Sequence, residues 1–282
     1  MRRPLPKDPF PMTTYAQAKA QDAARCIWTH WQTRTTLETL PADCRPMTAA
    51  EGYAAQAELP GVAGRAVWGW KIAATSEVGQ AHIQVSGPLA GRLLSGQVLE
   101  NGAEVPFAGN RMRVAEPEFA FRMGRDLPPR ATDYSTEEVL AAVAGLHPSL
   151  EMPDSRFAVF TRAGEAQLIA DNACTRHFVF GPAAPDLWRE IDLRAHALQG
   201  QVETASGRRW TRDGRGEAVL GDPRVALAWL VNRLSSLGVT LKAGQAVTTG
   251  TCMPPLEIEA GDAVRADFGP LGQVALRVSA TD

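Results

Sequence analysis

The sequence predicts an α+β chain in which a small helical N-terminal layer precedes a body of short strands and glycine turns. Three observations carry this expectation. Ala20, Ala23, Ala24, Ile27, Trp28 and Trp31 recur at helical steps, short alternating runs punctuated by glycine take over from Ala66, and a central run, Val114 to Phe121, alternates as a strand.

In chain order, residues 1–13 hold prolines and arginines without periodicity and read as a surface arm. The helical layer spans 14–65. Its first helix starts near Tyr15, and its second is opened by the capping box Thr48-Ala49-Ala50-Glu51, carries Tyr53 and Gln56, and ends near Pro60-Gly61. Residues 66–282 form the strand-rich remainder. In Trp68-Gly69-Trp70-Lys71-Ile72-Ala73, Trp68, Trp70 and Ile72 share one face and Lys71 stands on the other beside small neighbours. Such a lysine either points to water or, if covered on both faces, is desolvated with a lowered pKa suited to proton transfer.

Residues 86–110 read as turns and brief strands. A helix opened by Ser135-Thr136-Glu137-Glu138 is expected to run through Val143 to His147-Pro148, and the apolar segment 166–170 to end as a strand at the turn pair Asp171-Asn172. The clearest helix starts at Asp222-Pro223, buries Leu227, Leu230, Val231, Leu234 and Leu237, and stops at Gly238. The run 246–251 and a last pair of strands around Gly261-Asp262 follow.

The central run reads Val-Ala-Glu-Pro-Glu-Phe-Ala-Phe. Its alternation puts Glu116 and Glu118 on one strand face, and Pro117, which has no N–H to donate, predicts a sheet edge or a bulge there. Two adjacent like charges fit either a solvated strand face or a bound cation. Glu151, in Leu150-Glu151-Met152-Pro153-Asp154, adds a third carboxylate in apolar company. Three carboxylates with no histidine beside them suit Mg2+ or Mn2+ better than zinc.

Composition narrows the partners. The chain of 282 residues has a formal net charge of -2, giving no basic field for nucleic acid and no polybasic anchor for a membrane. No segment approaches a membrane span, and a small-molecule partner is expected. Four cysteines, Cys26, Cys44, Cys174 and Cys252, form no Cys-X-X-Cys pair and suit a reducing cytoplasm.

Gly69 to Ser76, Glu116 to Phe121, Leu150 to Arg156, Ala170 to Ala173, and Gly221-Asp222-Pro223 with the later Thr249-Gly250-Thr251 and Gly261-Asp262 occur in an order that resembles the fumarylacetoacetate hydrolase superfamily, within it the 2-keto-4-pentenoate hydratase group. The resemblance implies a mixed β-sheet roll as the catalytic domain at 66–282 and a homo-oligomer. It places Mg2+ or Mn2+ on Glu116, Glu118 and Glu151, proton transfer on Lys71, and Asp171, Asn172, Thr249, Gly250 and Thr251 near a small 2-oxo or 2-hydroxy-dienoic acid. The implied reaction is hydration of 2-hydroxypenta-2,4-dienoate to 4-hydroxy-2-oxopentanoate through a metal-stabilised enolate. The alternatives are a 4-oxalocrotonate-type decarboxylase, with Arg92, Arg156 and Arg176 as candidates for an extra substrate carboxylate, and a catalytically silent partner subunit. Ser86 stands where family members often carry aspartate, and is the feature that favours a silent subunit. Carbon–carbon bond hydrolysis would want a histidine to activate water, and none of the five histidines sits in a motif with that role.

Overall fold

A computed structural model describes residues 16–281, so the proline-rich arm at 1–13 lies outside the described residues. Two helices come first, α1 (Gln17–Thr33) and α2 (Ala49–Ala63). The expected face of α1 is buried, and Thr48 and Glu51 cap α2 reciprocally. This helix carries Pro60 in its last turn and continues to Gly64, whose left-handed backbone ends it three residues later than expected.

The strands form two sheets. The larger contains β1 (Val67–Ala73), β2 (Leu89–Leu94), β3 (Val98–Glu100), β5 (Val114–Met123), β6 (Val143–Met152), β7 (His177–Phe180) and β10 (Ala246–Thr251), in the order β2-β1-β10-β5-β6-β7-β3, with β11 (Leu256–Glu257) paired to β5. The smaller contains β4 (Glu104–Val105), β8 (Ala197–Glu203), β9 (Arg209–Arg215), β12 (Ala263–Asp267) and β13 (Gln273–Val278), in the order β4-β13-β12-β8-β9. Parallel pairs (β1 with β10, β3 with β7) sit among antiparallel ones, so the sheet is mixed, as expected.

Side chains close the outer edge of β2. Tyr53 Oη accepts from Ala90 N, Gln56 Nε2 donates to Ala90 O, and the Asn172 amide exchanges two bonds with the Arg92 backbone. Backbone groups that an edge strand would leave free are thereby satisfied. The remaining helices are α3 (Glu77–Ile83), α4 (Thr136–Leu140), α5 (Glu165–Ala170) and α6 (Pro223–Ser236), the last capped by Asp222 as expected.

Three expectations are corrected. The Glu-Pro-Glu strand is not at an edge: β5 lies between β10 and β6, and the irregularity falls on β10, where Thr249 and Gly250 together oppose Phe119. The bulge lets Cys252 N reach Pro117 O at 3.0 Å, so a proline is accommodated in a central strand. The helix after Ser135 ends at Leu140, because Val143–Met152 pairs with both β5 and β7, and the buried ladder overrides the apolar helical spacing. Residues 165–170 are a helix rather than a strand, burying Leu168, Ile169 and Ala170, with Ile169 against Gly52 of α2.

Candidate metal centre and active site

Strand register assembles the acidic cluster. Glu116 pairs with Glu151 across β5 and β6, and Glu118 lies two residues along, so all three side chains leave the same sheet face. One carboxylate oxygen from each lies within 4.8 Å of the others. Glu118 and Glu151 are fully buried and Glu116 is half-buried. Glu118 Oε2 accepts from Gly250 N at 2.9 Å and from the Thr248 hydroxyl, whereas Glu118 Oε1 and Glu151 Oε1 accept no hydrogen bond among the described residues.

Buried anionic oxygens without donors are unfavourable unless a cation faces them. A hard divalent ion fits this all-oxygen donor set, and softer metals do not. Without the ion, burial, then the Glu151 charge, push the Glu116 carboxyl up to about 7, opposed by Lys71. Burial likewise raises Glu118 and Glu151.

Lys71 reaches the cluster from β1, one strand beyond β10, where it pairs with Thr248, itself opposite Ala120 of β5. Its Nζ lies 3.2 Å from Glu151 Oε2 and donates to Ala173 O at 3.0 Å. The side chain is 3 % exposed, so the strand is covered on both faces. The expected fall in pKa is not what burial produces here. Desolvation is the largest influence and lowers it, but Glu151, Glu116 and Glu118 together raise the ammonium above its ordinary value.

The acceptor for Lys71 is made by an unusual turn. Asn172, Ala173 and Cys174 all have φ between 52° and 60°, a left-handed run that non-glycine residues rarely adopt and that surrounding bonds must hold. Asp171 and Asn172 provide those bonds. Buried Asp171 pairs with buried Arg156 and accepts from Ser155 Oγ at 2.6 Å, while Asn172 grips the Arg92 backbone. Neither lines the cavity, so their expected contact with substrate gives way to a positioning role, in which they aim Ala173 O at Lys71. Asp171→Ala leaves Arg156 buried without a counter-charge, and urea unfolding is expected to show a loss of about 3–5 kcal/mol.

The cavity beside the cluster has a volume of about 1340 Å3 and is lined by Lys71, Glu116, Glu118, Ala173, Gly250 and Thr251 among others. Thr249 turns away, donating to Phe119 O at 3.0 Å. Gly250, at φ +103°, is required here, because a Cβ would meet Thr75 Oγ1 at 2.2 Å. Arg92, Arg156 and Arg176 do not line the cavity: Arg92 bonds Gln56 and the other two pair with aspartates. Ser86 is exposed and does not line the cavity, its hydroxyl donating to Glu165 at 2.7 Å. Sequence reasoning missed Thr248, although its place in the run before Thr249-Gly250-Thr251 was the available signal. It also missed α3, whose Ser76 cap was legible and which contributes Val78 and His82 to the wall.

Residues 97–279 match the family model described as fumarylacetoacetate (FAA) hydrolase C-terminal. The chain is 32 % identical over 242 residues to 2-keto-4-pentenoate hydratase of Burkholderia vietnamiensis, covering 85 % of this chain and 89 % of the relative. It is 30 % identical over 258 residues to 2-oxo-hept-4-ene-1,7-dioate hydratase of Escherichia coli, covering 86 % and 92 %. The solved structure of 4-oxalocrotonate decarboxylase from Pseudomonas putida G7, complexed with magnesium and adipate, superposes with a TM-score of 0.81 at 26 % identity, covering 93 % of this chain and 98 % of that one. With the mixed sheet, the acidic cluster and these matches together, the chain belongs to the fumarylacetoacetate hydrolase family.

Proposed function

We propose that this protein is a divalent-metal-dependent hydratase that converts 2-hydroxypenta-2,4-dienoate to 4-hydroxy-2-oxopentanoate. The observation that carries the reading is a buried all-carboxylate cluster, with donor-free oxygens, whose Glu151 lies 3.2 Å from the Lys71 amine in the wall of an open cavity. Glu116, Glu118 and Glu151 would hold Mg2+ or Mn2+, which when bound supplies electrophilic stabilisation to negative charge developing on the 2-oxygen of a 2-oxo acid. Lys71 moves the proton. Its ammonium, held between Ala173 O and Glu151, donates to C5 as the 2-hydroxyl gives up its proton to solvent and the dienol becomes the enone, and the amine so formed takes the proton released by the water that adds at C4 while C3 takes a proton from solvent. Gly250 N and the Thr248 hydroxyl fix the Glu118 carboxylate, so the cluster keeps its shape while substrate exchanges.

The superposition on 4-oxalocrotonate decarboxylase favours a second reading, in which the same cluster supports loss of CO2. Loss of dienol absorbance with each substrate, with Mg2+, Mn2+ or EDTA, separates the two. Metal-dependent formation of 4-hydroxy-2-oxopentanoate is expected. CO2 released from 4-oxalocrotonate alone would transfer the assignment to the decarboxylase. We further propose a cytoplasmic homo-oligomer, in keeping with widely spread cysteines that form no Cys-X-X-Cys pair and with the family resemblance, and a single-chain mass in light scattering would exclude the oligomer.

A further inference from the structure

The threonine hydroxyls around the acidic cluster are nearly all committed to the fold. Thr248 donates to Glu118, Thr249 to Phe119 O at 3.0 Å and Thr251 to Met253 O at 2.8 Å. Thr75 differs. It is 6 % exposed and lines the cavity, yet its hydroxyl makes no hydrogen bond with any described residue. Nor is the oxygen sealed in the interior, so the exposure it retains is toward the cavity. A largely buried hydroxyl is unfavourable without a partner, and the partner here comes from the cavity.

Three backbone features fix this side chain. Ala74, immediately before it, has φ 57°, a left-handed conformation that non-glycine residues rarely adopt. Leu220 is left-handed as well, at φ 46°, and its N–H donates to Thr75 O at 2.9 Å. Gly250 leaves room on the third side, since a Cβ there would meet Thr75 Cγ2 at 2.7 Å as well as Oγ1. Two strained residues and an obligatory glycine therefore hold a side chain whose hydroxyl bonds nothing in the fold, and strain of this kind gathers where geometry serves a ligand. The place is the acid end of the cavity. The Gly250 backbone against which Thr75 packs donates to Glu118 Oε2 at 2.9 Å, and Lys71 lies four residues upstream on β1.

We propose that Thr75 is a substrate-binding residue whose hydroxyl donates to the carboxylate of the 2-oxo acid. The inference rests on the metal-dependent 2-oxo acid chemistry proposed above and adds to it the residue that orients the acid group. Glu116, Glu118 and Glu151, when ionised, are acceptors only, so a substrate carboxylate beside them needs donors from other residues. A neutral hydroxyl supplies one without a positive charge that would compete with a cation for the glutamates, as a lysine or arginine would.

Thr75→Val keeps the branched shape against Gly250 and removes the donor, whereas Thr75→Ser keeps the donor. Calorimetric titration of the Mg2+-loaded proteins with 2-oxopentanoate is expected to show Thr75→Val binding about 10- to 100-fold more weakly than the wild type, and Thr75→Ser within about threefold of it. Mg2+ affinity should be unchanged in Thr75→Val, because the hydroxyl bonds none of the glutamates. In turnover of the dienol the loss should fall on KM, because the carboxylate contact is the same before and during proton transfer. Equal 2-oxopentanoate affinity in Thr75→Val, an equally large loss in Thr75→Ser, a fall in Mg2+ affinity, or a loss confined to kcat would each overturn the assignment and leave the proposed function standing. A wild-type protein that binds Mg2+ but no 2-oxopentanoate would remove that function, and this inference with it.

Discussion

Replacing Lys71 by alanine is expected to lower turnover of the dienol substrate by about 100- to 10,000-fold, the range typical of a positioned acid–base group. Metal affinity should survive. The amine lies 3.2 Å from Glu151, so the ammonium competes with a cation for the same carboxylate, and its removal takes away a like charge. Titration calorimetry should therefore show Mg2+ binding at least as tightly to the variant as to the wild type. Lys71→Arg would not preserve activity, because a guanidinium does not release its proton near neutral pH. Undiminished turnover in Lys71→Ala would remove the amine from the mechanism, whereas loss of both turnover and metal would make its role structural.

The second large effect is the pH dependence of stabilisation by the metal. In the metal-free protein the Glu116 carboxyl sits at about 7 against an ordinary value of 4.5, so between those values the folded chain binds more protons than the unfolded one. Stability from this group is full below about 4.5 and is lost as pH rises through 7. His177 acts in the opposite sense. Burial, then Arg176, push it down to about 4, so its contribution is present above its ordinary 6.5 and is lost as pH falls toward 4. The difference between melting curves with and without Mg2+ cancels the histidine and isolates the carboxylates. That difference should grow from pH 5.5 to 8. At a hundredfold excess of Mg2+ over its Kd it should reach about 2.7 kcal/mol, of the order of 5 °C or more in Tm. Glu118→Gln should abolish it. A shift that ignores pH, or persists in Glu118→Gln, would place the ion elsewhere.

The parts of this molecule legible in its sequence are those governed by short-range rules. Alternation alone puts Glu116 and Glu118 on one face, and the cap residues Thr48, Glu51 and Asp222 mark two helix starts. What was not legible depends on neighbours distant in the chain. The central place of Pro117 rests on a bulge in β10, more than a hundred residues away, and nothing local reports it. Val143–Met152 carries spacing compatible with a helix, and only pairing on both sides decides for a strand. Asp171 and Asn172 are a polar pair suited to a site or to a turn. Their burial against Arg156 and the edge of β2 decides for positioning. Small neighbours on its strand mark out Lys71, but not the sign of its pKa shift, because three carboxylates together outweigh desolvation.

Whether the glutamate cluster and Lys71 together make a 2-oxo acid enolise can be decided by following exchange of the C3 protons of 2-oxopentanoate in D2O by NMR. Exchange is expected to require the protein and a divalent ion, to stop with EDTA, and to be lost in Lys71→Ala. Exchange that continues at the same rate in EDTA, or its absence from a wild-type protein shown to hold Mg2+, would contradict that chemistry.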